Sequence, residues 1–301
     1  MIQFSLCFFF SACLIIYTPL FSQVIDNNIV VNNTNKIDFN KSYITKHKIK
    51  RIHASVFHKK TGDIMRESGE SYVYKFNDFG QPEILHEILK NGNRFDTIRN
   101  QFDYYGNGLL KVHHRYTGSS PKSTHYFYDS LKQVIKEEYY LDRFVQNFDN
   151  EFEFIADTLI DYETMRYKNY TNQQKKIIFN SYGNPYVDII SYFNKNGMIS
   201  EVDRKLKMTS EIFETKYFYN PSNIVDSLVQ YSNLQPQETE SISMKYDAKN
   251  NILLKNHYFS NKLVYRTEFI YNEKTGMLSS TLEQEVATNV LTIVRFETFY
   301  E

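Results

Sequence analysis

Residues 100–116 read NQFDYYGNGLLKVHHRY, and this stretch decides the fold because its pattern recurs along most of the chain. The signal is an aromatic residue, then usually Asn or Asp, then Gly or Asn, then an apolar residue. In residues 100–116 it starts at Phe102. Further copies, mostly about 26 residues apart, start at Phe76, Tyr128, Phe154, Phe179, Phe193, Tyr219, Tyr246, Tyr271 and Tyr300. The chain is therefore a tandem repeat, and repetition is a better guide to its fold than length.

Each unit has the pattern of a β-hairpin. Large apolar residues lie two apart before the turn, as in Tyr126/Tyr128 and Tyr217/Tyr219, which predicts a strand with one apolar face. Asn and Asp tolerate left-handed backbone and glycine supplies positive φ, so the chain reverses there. The glycines expected in this turn position are Gly80, Gly106, Gly183, Gly197 and Gly276. We predict an all-β fold of tandem antiparallel hairpins, arranged as an up-and-down meander that curls or coils.

Closure of the sheet follows from the number of strands. About nine hairpins make some eighteen strands, whereas open twisted sheets seldom exceed about ten. The sheet should therefore close, coil or fold over with its aromatic rows inside. The rings expected inside are Tyr126, Phe152, Phe154, Tyr217, Tyr219, Phe269 and Tyr271, and the charges expected outside are Lys75, Glu153, Lys245 and Glu268. The last strand must pair with the start of the domain, pair with another chain, or remain a blunted edge.

Two units depart from the regular pattern. The step from Phe179 to Phe193 is about half a period, which indicates an extra turn. Phe154 is followed by Ile-Ala-Asp-Thr, without the usual Asn or Asp and Gly, so this hairpin needs a different turn.

Composition excludes one class of partner. The chain has 35 Lys and Arg and 35 Asp and Glu, so its formal net charge is zero and no field favours nucleic acid. The 25 Tyr and 24 Phe, with no Trp and six Pro, match strand propensity.

The N-terminal segment 1–22 reads as a secretory signal, because an apolar run precedes the first charged residue, Asp26. Ser22-Gln23 is the expected cleavage junction. An uncleaved membrane anchor is an alternative, since the segment has no Lys or Arg, and a lipoprotein modified at Cys13 is another. Both cysteines lie in this segment, so its removal would leave a chain that cannot form disulfides.

The rest of the chain divides into a polar linker, 23–50, and a repeat domain, 51–301. The linker is rich in Asn and then in Lys. Basic and apolar residues alternate in Lys46–Lys60, which fits either a membrane-surface helix or, as we expect, a solvated first strand.

The repeated pattern resembles the YD repeats of Rhs-type proteins. It is clearest in YKFNDFGQP (74–82), NQFDYYGNGLL (100–110) and MKYDAKNNIL (244–253), and it covers roughly Tyr72 to Glu301. The resemblance implies hairpins that spiral into a shell and a wrapping or display role. The chain is short for a full shell and shows no toxin domain, so the likeness is to small secreted repeat proteins of Gram-negative envelopes.

Candidate catalytic and metal-binding residues are few. His113 and His114 are adjacent on a strand and should point to opposite faces, so they cannot share a metal. The other histidines are scattered, without the spacing of a zinc site. The turn carboxylates interchange with Asn and are explained by turn geometry. These histidines are His47, His53, His58, His86, His125 and His257, and the carboxylates are Asp103, Asp129 and Asp247.

The sequence therefore predicts a non-enzymatic, exported structural or interaction protein of the bacterial cell envelope, without cofactor or metal. The expected location is the periplasm, the outer-membrane surface or the medium, and the partner is an unknown protein or glycan. The alternative is a carbohydrate-binding module using exposed Tyr and Phe rows. A membrane-spanning barrel is not expected, because Lys136-Glu137-Glu138 and Asp203-Arg204-Lys205 place charges on both strand faces.

Overall fold

The computed structural model describes residues 37–118, 121–146 and 152–301, with 144–146 and 152–155 described for the backbone only. It contains one short helix, α1 (Lys41–Lys46), and one sheet of 18 strands. The strands are β1 (Ile49–Lys59), β2 (Arg66–Phe76), β3 (Pro82–Asn91), β4 (Arg94–Tyr104), β5 (Leu110–Thr117), β6 (Lys122–Tyr128), β7 (Val134–Gln146), β8 (Phe152–Asn169), β9 (Gln173–Phe179), β10 (Pro185–Phe193), β11 (Ile199–Leu206), β12 (Ile212–Tyr219), β13 (Val225–Ser232), β14 (Gln235–Tyr246), β15 (Ile252–Phe259), β16 (Lys262–Tyr271), β17 (Leu278–Glu285) and β18 (Val290–Tyr300).

The sheet closes into a barrel. Every strand pairs antiparallel with its neighbours in sequence, and β1 pairs with both β2 and β18. At the closure Ala54 lies opposite Phe296, and Val56 lies opposite Val294. The predicted all-β up-and-down meander is confirmed, and the last strand pairs with the start of the domain. The prediction of a coiling repeat is wrong, because pairing of the first and last strands satisfies both edges at once.

Residues alternate between an inner and an outer face along each strand. Ile52, Tyr74 and Leu228 lie on the inner face and are at most 5% exposed. Cross-strand register places four of the predicted rings on this face, where they are partly buried: Tyr126, Tyr217, Phe269 and Tyr271. The charged residues Lys75, Lys245 and Glu268 are exposed on the outer face. The side chains of Phe152, Glu153 and Phe154 lie outside the described part of the chain.

The barrel has two distinct ends. The helix end contains α1, the first residue of β1 and the last residue of β18, and the far end lies at the opposite ends of the strands. Eight turns are of one kind, in which a residue of positive φ lies three positions after the start of the turn, or four positions in one case. These residues are Gly80, Gly108, Lys132, Gly183, Gly197, Asn223 and Asn250, and Gly276 in a turn that is one residue longer.

The Asn or Asp that opens the turn stabilises it with its side chain. Asn77 Oδ1 accepts hydrogen bonds from the backbone N–H groups of Phe79 and Gln81, both at 3.0 Å. Asp129 makes the corresponding bonds to Leu131 and Gln133. The first residue of the turn therefore stabilises the turn and accepts hydrogen bonds from two backbone donors.

The placement of Gly106 in the positive-φ position is wrong. Gly106 lacks a positive φ, whereas Gly108 has a φ of 80°. Strand β4 continues two residues past Phe102, so Tyr104 ends the strand and Tyr105 opens the turn. Phe102-Asp103 also matches the aromatic-Asp pattern, but it lies two residues before the pair that ends the strand and opens the turn.

The irregular units also have a structural explanation. The Asn180 turn between β9 and β10 lies at the far end, and the other seven turns of this kind lie at the helix end. One hairpin turn of this type at the opposite end produces the half-period step from Phe179 to Phe193. Phe154 opens no turn, because it lies within the 18-residue strand β8, which pairs with the 13-residue β7.

Residues 37–50, which the sequence analysis placed in a polar linker, include a helix and the start of the first strand. Asn40 caps α1 by accepting a hydrogen bond from the Tyr43 N–H, and Ile44 is fully buried. Strand β1 already begins at Ile49. Residues 46–60 thus form the end of a helix and a half-buried strand rather than a membrane-surface helix. No helix within the described ranges is long and apolar enough to cross a membrane.

Candidate functional site

The interior at the helix end is filled by a plug, which we define as residues 37–46. Phe39 packs edge-on against Tyr74, Phe76 and Phe296, with ring centroids 5.1, 5.9 and 6.4 Å away. The plug fits closely against the turns, since a Cβ on Gly80 would lie 2.3 Å from the carbonyl oxygen of Lys41. The plug therefore joins the core rather than serving as a flexible lead-in.

The tyrosines that end alternate strands tie successive units together. The Tyr271 hydroxyl donates to the carbonyl of Ile252 at 2.9 Å, and the Tyr128 hydroxyl donates to that of Leu110 at 2.9 Å. The same bond joins Tyr104 to Pro82, Tyr219 to Ile199 and Tyr246 to Val225. Burial raises the pKa of Tyr104, Tyr246 and Tyr271, so these hydroxyls remain neutral donors. The predicted aromatic rows are thus structural.

Beyond the plug, the inner face becomes polar. Thr267 donates from Oγ1 to Glu283 Oε2 at 3.1 Å, and His257 Nε2 lies 2.7 Å from Glu240 Oε1. Register places Lys255 beside Thr267 on the same face. We call six of the inner-face polar residues of β14–β17 the lumen cluster; they are Glu240, Lys255, His257, Tyr265, Thr267 and Glu283.

A second polar group lies across the inner face on β3–β5. Asn100 donates from Nδ2 to Glu87 Oε1 at 2.8 Å, and its Oδ1 lies 3.0 Å from His113 Nε2. The His113 ring also stacks on Phe102 at 4.8 Å. Tyr72 lies near these groups, and burial, together with the charges of Glu70, Glu87 and Glu283, raises its pKa to about 12. The lumen is therefore a charged and aromatic environment rather than a uniform apolar core.

His114, in contrast, lies on the outer face, so the two adjacent histidines do point to opposite faces. Its Nδ1 lies 3.0 Å from Asp142 Oδ2, and its Nε2 lies 3.5 Å from Asp103 Oδ2. Burial of the ring opposes charging, but the two carboxylates outweigh it and raise the pKa of His114. The Ser123 hydroxyl also donates to Asp142, at 2.7 Å.

This outer-face group does not have the order of a hydrolytic triad. Ser123 Oγ lies 3.4 Å from His125 Nε2, which is the contact a nucleophile and its base require. Asp142, however, contacts Ser123 itself and His114 instead of orienting His125. These residues therefore do not form the chain of hydrogen bonds from acid to imidazole to hydroxyl that a hydrolytic triad requires.

One group of acidic side chains has the spacing of metal ligands. Within the described ranges, Glu201, Asp203 and Glu214 bring one carboxylate oxygen each to within 4.8 Å of the others. Lys216 Nζ lies 3.6 Å from Glu214 and 4.0 Å from Glu201, and it donates to the Tyr231 hydroxyl at 2.9 Å. The protein's own ammonium group thus supplies a positive charge where a metal would.

The predicted turn and strand positions do not converge on one site. Gly80, Gly108 and Gly276 surround the plug, Gly183 lies at the far end, and the remaining positions are distributed around the ring. The lumen cluster was missed by sequence reasoning. The signal in the sequence is that Lys255 and His257 alternate with Leu254 and Asn256. This alternation does not tell which of the two pairs faces the interior of the barrel.

No family model and no curated protein matches the chain. Similar solved structures include a porin-like protein from Bacteroides uniformis ATCC 8492, 8% identical, with coverage of 83% of this chain and 98% of that chain and a TM-score of 0.35. The Photorhabdus luminescens Tc holotoxin pore is 10% identical over 80% of this chain and 18% of that chain, with a TM-score of 0.30. The LolA superfamily protein NE2245 from Nitrosomonas europaea is 8% identical over 83% of this chain and 84% of that chain, with a TM-score of 0.19.

The assignment to YD-repeat, Rhs-type proteins is wrong. No family model supports it, and the hairpins close into one ring of 18 strands instead of spiralling into a shell. Porin-like and LolA-superfamily proteins are among the similar structures. All these TM-scores lie below 0.5, so the similar structures carry no argument about function.

Proposed function

We propose that the protein is an exported, non-enzymatic binding and interaction protein of the bacterial cell envelope, in which the barrel acts as a cup. The observation that carries this proposal is the contrast between its two halves. At the helix end the plug buries Tyr43 and Ile44 to 5% exposure or less. In the far half, polar and aromatic side chains line an interior that water reaches.

Exposure of inner-face residues supports the accessible half. Phe213 lies on the inner face of β12, opposite Ser232, and is 39% exposed. The Glu240 side chain is 32% exposed, and Arg115 on the inner face of β5 is exposed. Aromatic rings beside charged groups suit a small polar ligand that is held partly by stacking.

Export rests on the N-terminal segment. Residues 1–22 form an apolar run that ends at a polar junction, as the apolar region and cleavage site of a secretory signal do. This segment lies outside the described residues. A barrel with a charged outer face, bearing Lys75, Lys245 and Glu268, suits a water-filled compartment of the envelope.

The alternative of an exposed sugar-stacking platform is less well supported. The rows expected to form it face inward, and the hydroxyls of Tyr128, Tyr219 and Tyr271 are bonded to backbone carbonyls. A sugar would have to enter the lumen, where it becomes one form of the polar ligand proposed here.

Native mass spectrometry of the exported protein tests the binding role. Thr215 faces the lumen, where its Oγ1 accepts a hydrogen bond from Gln230. Thr215→Trp should fill the accessible half and displace a retained ligand. Ser243→Trp, on the outer face of β14, is the matched control, since it adds the same bulk outside.

A bound small molecule in the wild type and in Ser243→Trp, but not in Thr215→Trp, is the expected result. Absence of any bound species from the wild type after purification from cell extract and incubation with a panel of soluble sugars, carboxylic acids and aldehydes would contradict the binding role. Equal retention of the ligand in all three proteins would place the ligand outside the lumen and contradict the proposal that the barrel binds it inside.

A further inference from the structure

We propose that Lys255 is a carbonyl-reactive amine, which captures small aldehydes or ketones in the lumen as an imine. This inference rests on the proposed binding role of the lumen and names the chemical class of one ligand. The amine lies on the inner face of β15, three residues from its start, where the apolar plug region gives way to the lumen cluster.

The placement of Lys255 is fixed from both sides. Met244 lies opposite it on β14, and Thr267 lies opposite it on β16. Met244 is 5% exposed and Thr267 is 6% exposed, so both flanks of the lysine are buried. The residue itself is only partly exposed. Its aliphatic stem therefore lies between two buried side chains on the inner face of the barrel.

Lys255 also lacks the usual compensation for a buried ammonium. In the described part of the chain, no carboxylate oxygen lies within 4.0 Å of its amino group. Glu283 is the acidic group whose charge affects it, and this carboxylate already accepts a hydrogen bond from Thr267. Burial lowers the pKa of Lys255, and the charge of Glu283 only partly offsets that effect.

The titratable groups around the amine come from four strands. They are Glu240 on β14, His257 on β15, Tyr265 on β16 and Glu283 on β17. His257 and Glu240 are paired at 2.7 Å, and Glu283 accepts a hydrogen bond from Thr267, so these three groups have partners of their own. An uncharged lysine is the nucleophile that carbonyl chemistry needs, and burial is one of the ways proteins produce it.

The reaction balances without a further reagent. The neutral amine adds to the carbonyl carbon, and a proton moves from nitrogen to the former carbonyl oxygen to give a carbinolamine. Loss of that oxygen as water forms the carbon–nitrogen double bond of the imine. Hydrolysis reverses the capture, so the lumen binds the carbonyl compound without turning it over.

Reductive trapping tests this proposal on the intact chain. The exported protein is incubated with glycolaldehyde and cyanoborohydride at pH 7, and labelled lysines are quantified by peptide mass spectrometry. Lys245 is the internal control, because it lies on the outer face of the adjacent strand and is exposed. Labelling at Lys255 should exceed that at Lys245, by about tenfold for each unit by which the Lys255 pKa lies below that of an ordinary lysine.

Two variants separate reactivity from a structural role. Lys255→Arg should abolish the fast label and leave Lys245 labelling unchanged. Glu283→Gln removes the nearby negative charge, so the pH profile of Lys255 labelling should shift to lower pH. Labelling of Lys255 no faster than Lys245, or only after unfolding, would overturn the proposal. A noncovalent lumen ligand found in that case would leave the proposed binding role standing.

Discussion

The hydroxyl of Tyr43 in α1 donates a hydrogen bond to the carbonyl oxygen of Thr275, 232 residues further along the chain, at 3.1 Å. This contact links the plug to the turn between β16 and β17, which belongs to the last complete hairpin of that end. Together with the pairing of β1 and β18, it makes the two ends of the described chain parts of one structure. Burial, with the charge of Tyr300, raises the pKa of Tyr43 and keeps this donor protonated.

The plug should contribute measurably to stability. Ile44 has no exposed surface and belongs to the main core cluster. Ile44→Ala should lower the free energy of unfolding by about 2–5 kcal/mol, because it removes buried methyl groups and leaves a cavity. Urea denaturation measures the change. Ile64→Ala, at a residue that is 71% exposed, is the matched control and should be nearly neutral. Equal effects of the two substitutions would show that the plug does not pack.

The corrected turn register makes Gly108 and Gly106 a direct comparison. Gly108 has a φ of 80°, where a β-carbon is strained, and Gly106 does not. Gly108→Val should destabilise the protein by about 1–3 kcal/mol. Gly106→Val should change stability by no more than about 0.5 kcal/mol. Thermal melts of the two variants decide between the registers, and the reverse ranking would restore Phe102 as the end of the strand.

The tyrosine bonds between units should be worth about as much as other buried hydrogen bonds. Tyr271→Phe removes the donor to Ile252 and should cost about 1 kcal/mol. Tyr182→Phe is the control, since Tyr182 is 87% exposed in the far-end turn. Denaturant midpoints give the comparison. If Tyr271→Phe left the free energy of unfolding unchanged, water would replace the hydrogen bond without a loss of stability.

His114 should make stability depend on pH in a defined window. Its pKa in the folded protein is raised, because Asp103 and Asp142 outweigh the burial of the ring. The stabilisation is therefore fully present below the unfolded value of about 6.5 and is lost as pH rises through the higher folded value. His114→Asn should remove this decline, as measured by unfolding free energies between pH 5.5 and 8.5. An identical decline in the variant would assign it to other groups.

The mature N-terminus tests the exported location. Mass spectrometry should find Gln23 at the N-terminus after removal of residues 1–22. An intact Met1 would indicate an anchor, and a lipid-modified Cys13 would indicate a lipoprotein.

Strands and closure could be predicted because they follow from periodicity and strand number. Aromatic residues two apart give the strands, and some eighteen strands cannot remain flat. The register near Phe102 could not be predicted, because Phe102-Asp103 and Tyr104-Tyr105 both precede a glycine. Helix α1 was missed because six residues, preceded by Asn40, resemble the polar segment around them.

The lumen cluster required the structure for a different reason. Lys255 sits in a strand where polar and apolar residues alternate weakly, so local sequence does not say which face is inner. Only its pairing with Met244, which is part of the core, places the amine inside. Cross-strand information of this kind is absent from a single segment.

The closed ring is the central claim, and a disulfide between its first and last strands tests it most directly. His53 on β1 lies opposite Glu297 on β18, at the short separation that antiparallel pairing imposes. In a chain whose Cys7 and Cys13 are replaced by serine, His53→Cys with Glu297→Cys should oxidise rapidly to an intramolecular disulfide, seen as a loss of two hydrogens by mass spectrometry. His53→Cys with Glu268→Cys, which are not opposed, should not. Purely intermolecular disulfides, or equal oxidation of both pairs, would contradict closure of the barrel within one chain.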